Sequence, residues 1–447
     1  MRIELPQEPR ARRALVVARA LIAAGHRALF AGGAVRDLVL GRTPQDYDIA
    51  TSARPEEVQA LFPHTVAVGA AFGVVRVVSA AAGDVEVATF RRDLGYRDGR
   101  HPDAIAFSDE IEDARRRDFT INGLLLEPES GAVVDYVGGL DDLSAKRLRA
   151  IGDPTARFAE DALRLLRAPR FAARFELAID PATWEALVRS APSIARVSAE
   201  RIRDELLKML VERHRKRALE LLHSSGLMQR LLPELAACEG VEQPPEFHPE
   251  GDVLVHTLLM ADLLQSDPSP ELALAVVLHD IGKPPTFSRE DRIRFNRHAE
   301  VGAEMARAVC KRLRLSRDST ERVYELVRHH LRFKDVVKMR PATLKRFLRM
   351  EGFEEHLELH RVDCLGSHGM LDHYDFCRAK LEQFRQSEAA AGLRPARLID
   401  GGDLIAAGYR PGPQFKAILS FVEDLQLEGR LGSREQALEA VRRRFPL

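Results

Sequence analysis

Asp46 and Asp48 are separated by one residue, so on an extended strand both carboxylates project from the same face. Two convergent carboxylates are what a pair of Mg²⁺ ions requires, because magnesium takes oxygen ligands. Glu86, in the β-type run 85–90, supplies a third. Two such ions about 4 Å apart activate an attacking hydroxyl and neutralise a leaving pyrophosphate. Upstream, Gly32-Gly33 follows the apolar run 28–31 and precedes Arg36. Glycines there let backbone N–H groups approach a triphosphate, and the start of the following helix adds a favourable dipole. Arg36 adds a charge-assisted bond to phosphate oxygen. Taken in order, these residues predict metal-dependent nucleotidyl transfer.

A second set lies in the C-terminal half. His256 opens a helical block, His279-Asp280 ends the apolar run 272–278, and His298, His329, His330 and Asp363 follow. This pattern resembles the HD superfamily of metal-dependent phosphohydrolases. The resemblance puts His256, His279, Asp280 and Asp363 on the ligand positions, with His298, His329 and His330 as candidates for a second metal or a phosphate. Imidazole plus carboxylate suits a transition metal such as Ni²⁺, Mn²⁺, Fe²⁺ or Zn²⁺. Open coordination there activates water against a phosphoester.

The elements that must position these groups change character along the chain. Residues 28–31, 74–79, 85–90 and 133–137 read as strands among helices, which predicts an α+β head with a small mixed sheet over 1–152. From Asp153 strand signals nearly vanish. Residues 158–175, 181–189, 199–211 and 215–223 read as amphipathic helices of a neck and RNA-binding region over 153–240. Residues 233–251, rich in Pro, Gly and Glu, read as a linker. A helical HD-type block over 252–391 and a helical tail over 394–447 complete the expected division.

The head motifs carry a resemblance of their own. Gly32-Gly33-Ala34-Val35-Arg36-Asp37 followed by Asp46-Tyr47-Asp48 resembles the bacterial tRNA nucleotidyltransferase and poly(A) polymerase family, the class II CCA-adding enzymes. Arg116-Arg117-Asp118-Phe119-Thr120-Ile121-Asn122 is similar to that family's basic motif near the sugar and phosphates. Glu160-Asp161-Ala162-Leu163-Arg164-Leu165-Leu166-Arg167 looks like its base-reading helix. The resemblance implies a five-stranded head, then helical neck, body and tail. It also implies addition of C, C and A to the 3′ end of tRNA from CTP and ATP without a nucleic-acid template. Carried over by position, Asp46 and Asp48 hold Mg²⁺, Gly33, Arg36 and Arg117 contact the nucleotide, and Asp161, Arg164, Arg167 and Arg170 line the base pocket.

Residue chemistry agrees with that pocket. Asp161 and Arg164 are three apart, hence on one face of a helix. Asp only accepts and Arg only donates, which matches the amine donor beside a ring-nitrogen acceptor shared by cytosine and adenine. The stretch 91–113, with Gly95, Tyr96, Gly99 and Arg100-His101-Pro102-Asp103, looks like the family's flexible loop, whose loss accompanies CC-only enzymes. A-addition alone and poly(A) synthesis stay as alternatives. So does an HD-type hydrolase of a nucleotide signal with a degenerate head. For the HD block, the expected substrate is a 2′,3′-cyclic phosphate, whose removal from a damaged RNA end regenerates the hydroxyl that the head extends.

Lys plus Arg and Asp plus Glu both number 67, so overall charge does not point to nucleic acid, and no DNA or membrane partner is expected. Basic residues nevertheless dominate residues 146–217, ending in Arg213, Arg215, Lys216 and Arg217. An RNA surface needs only such a local patch. Cys238, Cys310, Cys364 and Cys377 are far apart and form no CxxC pair, which argues against disulfide scaffolds and zinc ribbons. Residues 15–24 are apolar but interrupted by Arg19, so they read as an amphipathic helix and not a signal peptide. A reducing cytoplasm is the expected location.

Overall fold

Ala28–Ala31 (β1) is buried at all four positions, because helices cover the sheet around it. The helix Pro9–Ala23 lies against it through a face of small residues, Ala11, Ala14, Val17 and Ala18. In the computed structural model, which describes residues 1–67, 73–79, 83–94, 104–246, 248–386 and 396–447, the chain forms two compact units, Met1–Pro233 and Glu234–Leu447. The expected head and neck therefore pack as one unit.

The first unit holds Asp48–Thr51 (β2), Thr65–Ala67 (β3), Val74–Val77 (β4), Val85–Thr89 (β5), Arg91–Leu94 (β6), Ala104–Phe107 (β7), Leu124–Leu126 (β8) and Val133–Asp135 (β9). The main sheet is mixed, in the order β3-β4-β5-β2-β1-β8-β9, while β6 and β7 pair separately. It thus has seven strands where the family resemblance implies five. β3 and β8 are three residues each, too short for any period to show in the sequence, whereas β9 falls within the strand expected over 133–137. The loop residues Gly95, Tyr96, Gly99 and Arg100-His101-Pro102-Asp103 lie outside the described residues.

The helix expected over 158–175 is two helices, Pro154–Glu160 and Arg164–Arg174. Asp161 between them is extended (φ −142°, ψ 104°), and its carboxylate accepts the Leu163 N–H at 3.0 Å. An Asp side chain that captures a nearby backbone donor competes with the helix ladder, which explains the break. Strand also reappears where none was expected. Arg147–Leu148 pairs in parallel with Ala178–Ile179, and Phe287–Arg289 with Ile293–Phe295 as a hairpin.

In the second unit the helix Pro270–Leu278 is buried at every position from Leu272 to Leu278. Val253–Leu263, His298–Arg312, Arg317–His329 and Phe353–Leu365 surround it, so it is apolar all round. Just beyond its end, a Cβ on Gly282 would stand 2.1 Å from the His298 carbonyl and 2.6 Å from the Gly302 nitrogen. Only glycine permits that approach, which brings His279-Asp280 against the start of the helix His298–Arg312. The tail packs a small core of its own around Ile399, Leu404, Tyr409, Ile418, Val422 and Val441. The segment 233–251 departs from a plain linker, because Gln243 is buried and bonds Lys283 at 2.6 Å.

Candidate active site

Asp48 opens β2, Asp46 lies two residues earlier, and Tyr47 between them is buried while both aspartates are exposed. Tyr47 packs edge-on against Phe30 at 5.9 Å and donates its hydroxyl to Glu8 at 2.9 Å. The buried ring keeps the two carboxylates on the opposite, open side. β2 runs parallel to β5 with Ile49 beside Val87, so Asp48 and Glu86 stand one residue earlier on adjacent strands. The protein around the recess, with Glu86 and then Asp46 adding like charge, pushes the Asp48 carboxyl up to about 6. A carboxyl so displaced is an acceptor short of positive charge, and a divalent cation fits it.

Gly32, at φ +69°, leads into the helix Gly33–Val39. A Cβ there would meet Arg117 Nη1 at 2.7 Å, so the glycine lets the guanidinium lie across the backbone. Arg117 pairs with Asp113 at 3.1 Å, and its buried Nε has no hydrogen-bond partner among the described residues. Arg36 is 5% exposed. It bonds Asp37 and the Asn122 Oδ1 at 2.5 Å, and its guanidinium stacks 4.2 Å from the Phe175 ring.

The base-pocket candidates are held by different partners. Arg201 grips both Asp161 oxygens, at 3.1 and 2.7 Å. Arg164 turns instead to Glu160 at 2.5 Å and to the carbonyls of Arg157 and Arg116. The shared helical face expected for Asp161 and Arg164 is therefore absent. Arg167 pairs with Asp118 at 2.7 Å. Burial alone would raise Asp118, but Arg167 and the Asn122 amide bring it down to about 2. Arg170 is buried against Glu205 and Glu212. Arg201 escaped the sequence reading, because no spacing signals its role, and Asn122 was named there only as the end of the basic motif. Of the basic run, Arg213 is exposed, whereas Arg215 is buried and Arg217 donates to the Leu177 carbonyl at 2.6 Å.

In the second unit, His256, His279 and Asp363 offer ligand atoms within 4.8 Å of one another, and so do Asp280, His298 and His330. Asp280 Oδ2 lies 3.0 Å from His279 Nε2, and Oδ1 lies 3.5 Å from His298 Nε2, so the groups adjoin. The Nδ1 atoms of His279, His298 and His330 each bond a carbonyl three residues earlier, those of Val276, Phe295 and Val327. That leaves each Nε2 facing inward. His279 Nε2, His298 Nε2 and Asp280 Oδ1 are buried without a hydrogen-bond partner. Buried orphans of this kind are costly, and a cation satisfies all three.

Burial would lower His256, but Asp363 and Glu250 push it up to about 9, so in the absence of a cation a proton there supplies the positive charge between two carboxylates. Burial and the neighbouring His279 push His330 down to about 3, which leaves it a neutral donor. His248 and Glu250, in the expected linker, form a third group with His256, and Glu250 contacts His256 Nδ1 at 2.8 Å. His329 points elsewhere and pairs with Glu325. Among the described residues all three such groups lie in this unit; the carboxylates of Asp46, Asp48 and Glu86 stand further apart.

Three family models match in order: the Poly A polymerase head domain over residues 28–149, the probable RNA- and SrmB-binding site of polymerase A over 176–239, and the HD domain over 252–350. The CCA-adding enzyme of Lactobacillus helveticus is 30% identical over 436 residues, covering 96% of this chain and 95% of that protein. The chain belongs to the CCA-adding enzyme family. The CCA-adding enzyme of Limosilactobacillus reuteri is 44% identical over 207 residues; there the match spans 46% of this chain and about half, 51%, of the relative's length. A crystal structure of the Bacillus stearothermophilus CCA-adding enzyme in complex with CTP superposes with a TM-score of 0.72 at 26% identity, over 98% of this chain and 99% of that one. Among the described residues no helix is long and apolar enough to cross a membrane.

The raised Asp48 carboxyl gives a pH-dependent prediction. An aspartate titrates near 3.9 in an unfolded chain, roughly. With its folded value raised, Asp48 contributes stability below about pH 4 that is lost as pH rises through about 6. In chelator-treated protein, Asp48→Asn is expected to raise the calorimetric unfolding midpoint at pH 8, with the gain vanishing below about pH 4. Equal midpoints at every pH would show that Asp48 carries no such repulsion.

Proposed function

We propose that the head adds C, C and A to the 3′ end of tRNA from CTP and ATP, as its family membership implies. The observation that carries this reading is Asp48 level with Glu86 on parallel strands, its carboxyl displaced upward first by desolvation and then by Glu86 and Asp46. Mg²⁺ bound there would supply Lewis-acid stabilisation of the attacking and leaving oxygens. The RNA 3′ hydroxyl oxygen bonds the α-phosphorus of the nucleotide as the bond to pyrophosphate breaks, and the hydroxyl proton passes to one of the carboxylates beside it, Asp46, Asp48 or Glu86. Asp46, Asp48 and Glu86 hold the charge in place. Gly32 and Gly33 admit the triphosphate, and Arg117, with its unpartnered Nε, faces phosphate oxygen. Arg36, fixed by Asp37, Asn122 and Phe175, holds the start of the helix in register with them.

In the base pocket, Asp161 accepts the exocyclic amine of cytosine or adenine. A carboxylate has about four lone-pair sites, so it can accept that bond while Arg201 still orients it. Arg164 donates to the ring nitrogen once released from Glu160, and Arg167 and Arg170 brace the pocket through Asp118, Glu205 and Glu212. The RNA is held by basic surface that includes Arg213, and the enzyme works in the cytoplasm, where its four buried free cysteines stay reduced.

A second reading concerns the His/Asp cluster, favoured by its three buried orphan atoms. We infer that it holds a transition metal on His256, His279, Asp280 and Asp363, with His298 and His330 available to a second ion. There it hydrolyses a phosphoester such as a 2′,3′-cyclic phosphate. Water oxygen bonds phosphorus, the P–O3′ bond breaks, and the released O3′ takes a proton.

Three outcomes are expected. Asp46→Ala or Asp48→Ala abolishes incorporation of labelled CTP and ATP into tRNA lacking its 3′ end, with tRNA affinity nearly intact in filter binding; substantial activity in both variants overturns the metal assignment. Asp161→Ala admits UTP or GTP and slows CTP and ATP use, by about ten- to a hundredfold in competition assays; unchanged selectivity would leave Asp161 a structural partner of Arg201. The double change His279→Ala with Asp280→Ala removes bound metal, read by elemental analysis, and removes hydrolysis of 2′,3′-cyclic CMP while nucleotide addition survives. A wild type with no bound metal and no turnover with any divalent ion would make the cluster structural.

A further inference from the structure

Asp113 lies on the short helix Glu110–Arg115 and is 1% exposed. Its neighbour Ala114 packs into the head core with Leu29, Ala31 and Leu125, so this turn of helix is fixed against β1. The Asp113 carboxylate divides between two cations. Oδ1 accepts Arg116 Nε at 2.8 Å and lies 2.7 Å from Arg116 Nη2, and Oδ2 accepts Arg117 Nη2 at 3.1 Å. Burial would raise this carboxyl, but Arg117 and Arg116 hold it below the usual carboxylate range, so it stays ionised at neutral pH.

The two arginines lead to different parts of the nucleotide site. Arg117 lies across Gly32 with its buried Nε unpartnered, where the glycines admit the triphosphate. Arg116 bonds Asp113 through its side chain, while its main-chain carbonyl accepts Arg164 Nη2 at 3.1 Å and Arg157 Nη1 at 3.2 Å. Arg157 also donates to the Ile151 carbonyl at 3.0 Å, and it shares Glu160 with Arg164. The start of the helix Arg164–Arg174 is thus keyed to the backbone of Arg116, which the Asp113 carboxylate holds in turn.

We propose that Asp113 is a positioning residue that ties triphosphate binding to base selection. One of its oxygens holds Arg117 at the phosphates, and the other holds Arg116, whose carbonyl sets Arg164 toward the base. Asp113 acts through these two arginines and not by contact with substrate. Side chains that meet a substrate keep a productive geometry only when their own hydrogen bonds fix them, and a small misplacement is costly in rate. A carboxylate is planar and rigid, so a shift of Asp113 displaces both arginines together. This role rests on the nucleotide-addition reading given above and names a residue outside the nucleotide-contacting set on which two of that set depend.

The test uses the full chain and steady-state incorporation of labelled CTP, ATP, UTP and GTP into tRNA lacking its 3′ end. KM, kcat and the calorimetric unfolding midpoint are measured for wild type and three variants, and selectivity is the ratio of kcat/KM values. Arg117→Ala is expected to raise KM for CTP and ATP about tenfold while the preference over UTP and GTP stays as in wild type. Arg116→Ala is expected to lower that preference about tenfold with KM for CTP little changed. Asp113→Asn keeps the shape, removes the charge and is expected to show both losses at once. A lower unfolding midpoint with KM and preference both unchanged in Asp113→Asn makes the carboxylate purely structural and overturns the proposal, and loss of only one of the two overturns the coupling. Should Asp113→Asn not fold, Arg116→Ala decides, since that side chain is 21% exposed and its loss leaves the Arg117 pair in place: a lowered preference upholds the proposal, and an unchanged one overturns it. A wild type that adds neither C nor A to tRNA overturns the addition reading instead, so the two failures are distinguishable.

Discussion

β2 and β5 run parallel in a sheet whose other five pairings are antiparallel, and the head site depends on that one register. Parallel neighbours cannot be joined by a tight turn. The chain from Ser52 to Asp84 makes the crossover, through the helix Pro55–Leu61 and the pair β3 and β4. Its result is to set Asp48 level with Glu86. Desolvation there, and then the like charge of Glu86, displace the Asp48 carboxyl upward to about 6, which makes the pair unfavourable in the absence of a cation.

Around that site a chain of polar and cation–ring contacts ties three separate sequence motifs together. Asp118 receives Arg167 and Asn122, Asn122 receives Arg36, and Arg36 stacks on Phe175 at the end of the helix Arg164–Arg174. Asp118, Asn122, Arg36 and Phe175 are buried and Arg167 is partly exposed, and a buried charge persists only when paired. Residues grouped by motif thus divide physically. Arg36 has all three guanidinium nitrogens committed to protein partners and Arg170 has Nε and Nη1 so committed, while Arg117 keeps an unpartnered Nε.

What was legible in the sequence was local. The alternation around Tyr47, the glycines before a helix and the His-Asp pair after an apolar helix each depend on a few adjacent residues. β1 was read at its exact bounds, because Ala28–Ala31 is bordered by a turn on each side. Long-range pairing was not legible. Arg201 reaches Asp161 across 40 positions, and nothing at either position announces the other. The break at Asp161 was missed for a different reason. Apolar spacing runs through it unchanged, and only the side chain's own bond to Leu163 N–H ends the helix. Glu250 and His248 were hidden in a segment whose composition is that of a linker.

The two metal-type sites solve opposite problems, and this accounts for their different legibility. The head gathers like charges at a partly open recess, so its signal is the spacing of acids along strands. The second site must present neutral nitrogens inward from a buried shell, so it needs each imidazole fixed in one tautomer. It does this three times with the same device, Nδ1 bonded to a carbonyl three residues earlier, at Val276, Phe295 and Val327. A donor spent on the ring's own backbone leaves Nε2 as the acceptor. His279 and His330 can use the device because each follows the last turn of a helix, where carbonyls lack intrahelical partners. Convergence then requires only that the helix ends meet, and Gly282 against Gly302 lets one of them approach the start of the helix His298–Arg312. The chemistry of the cluster is therefore written in helix ends, whereas that of the head is written in strand register.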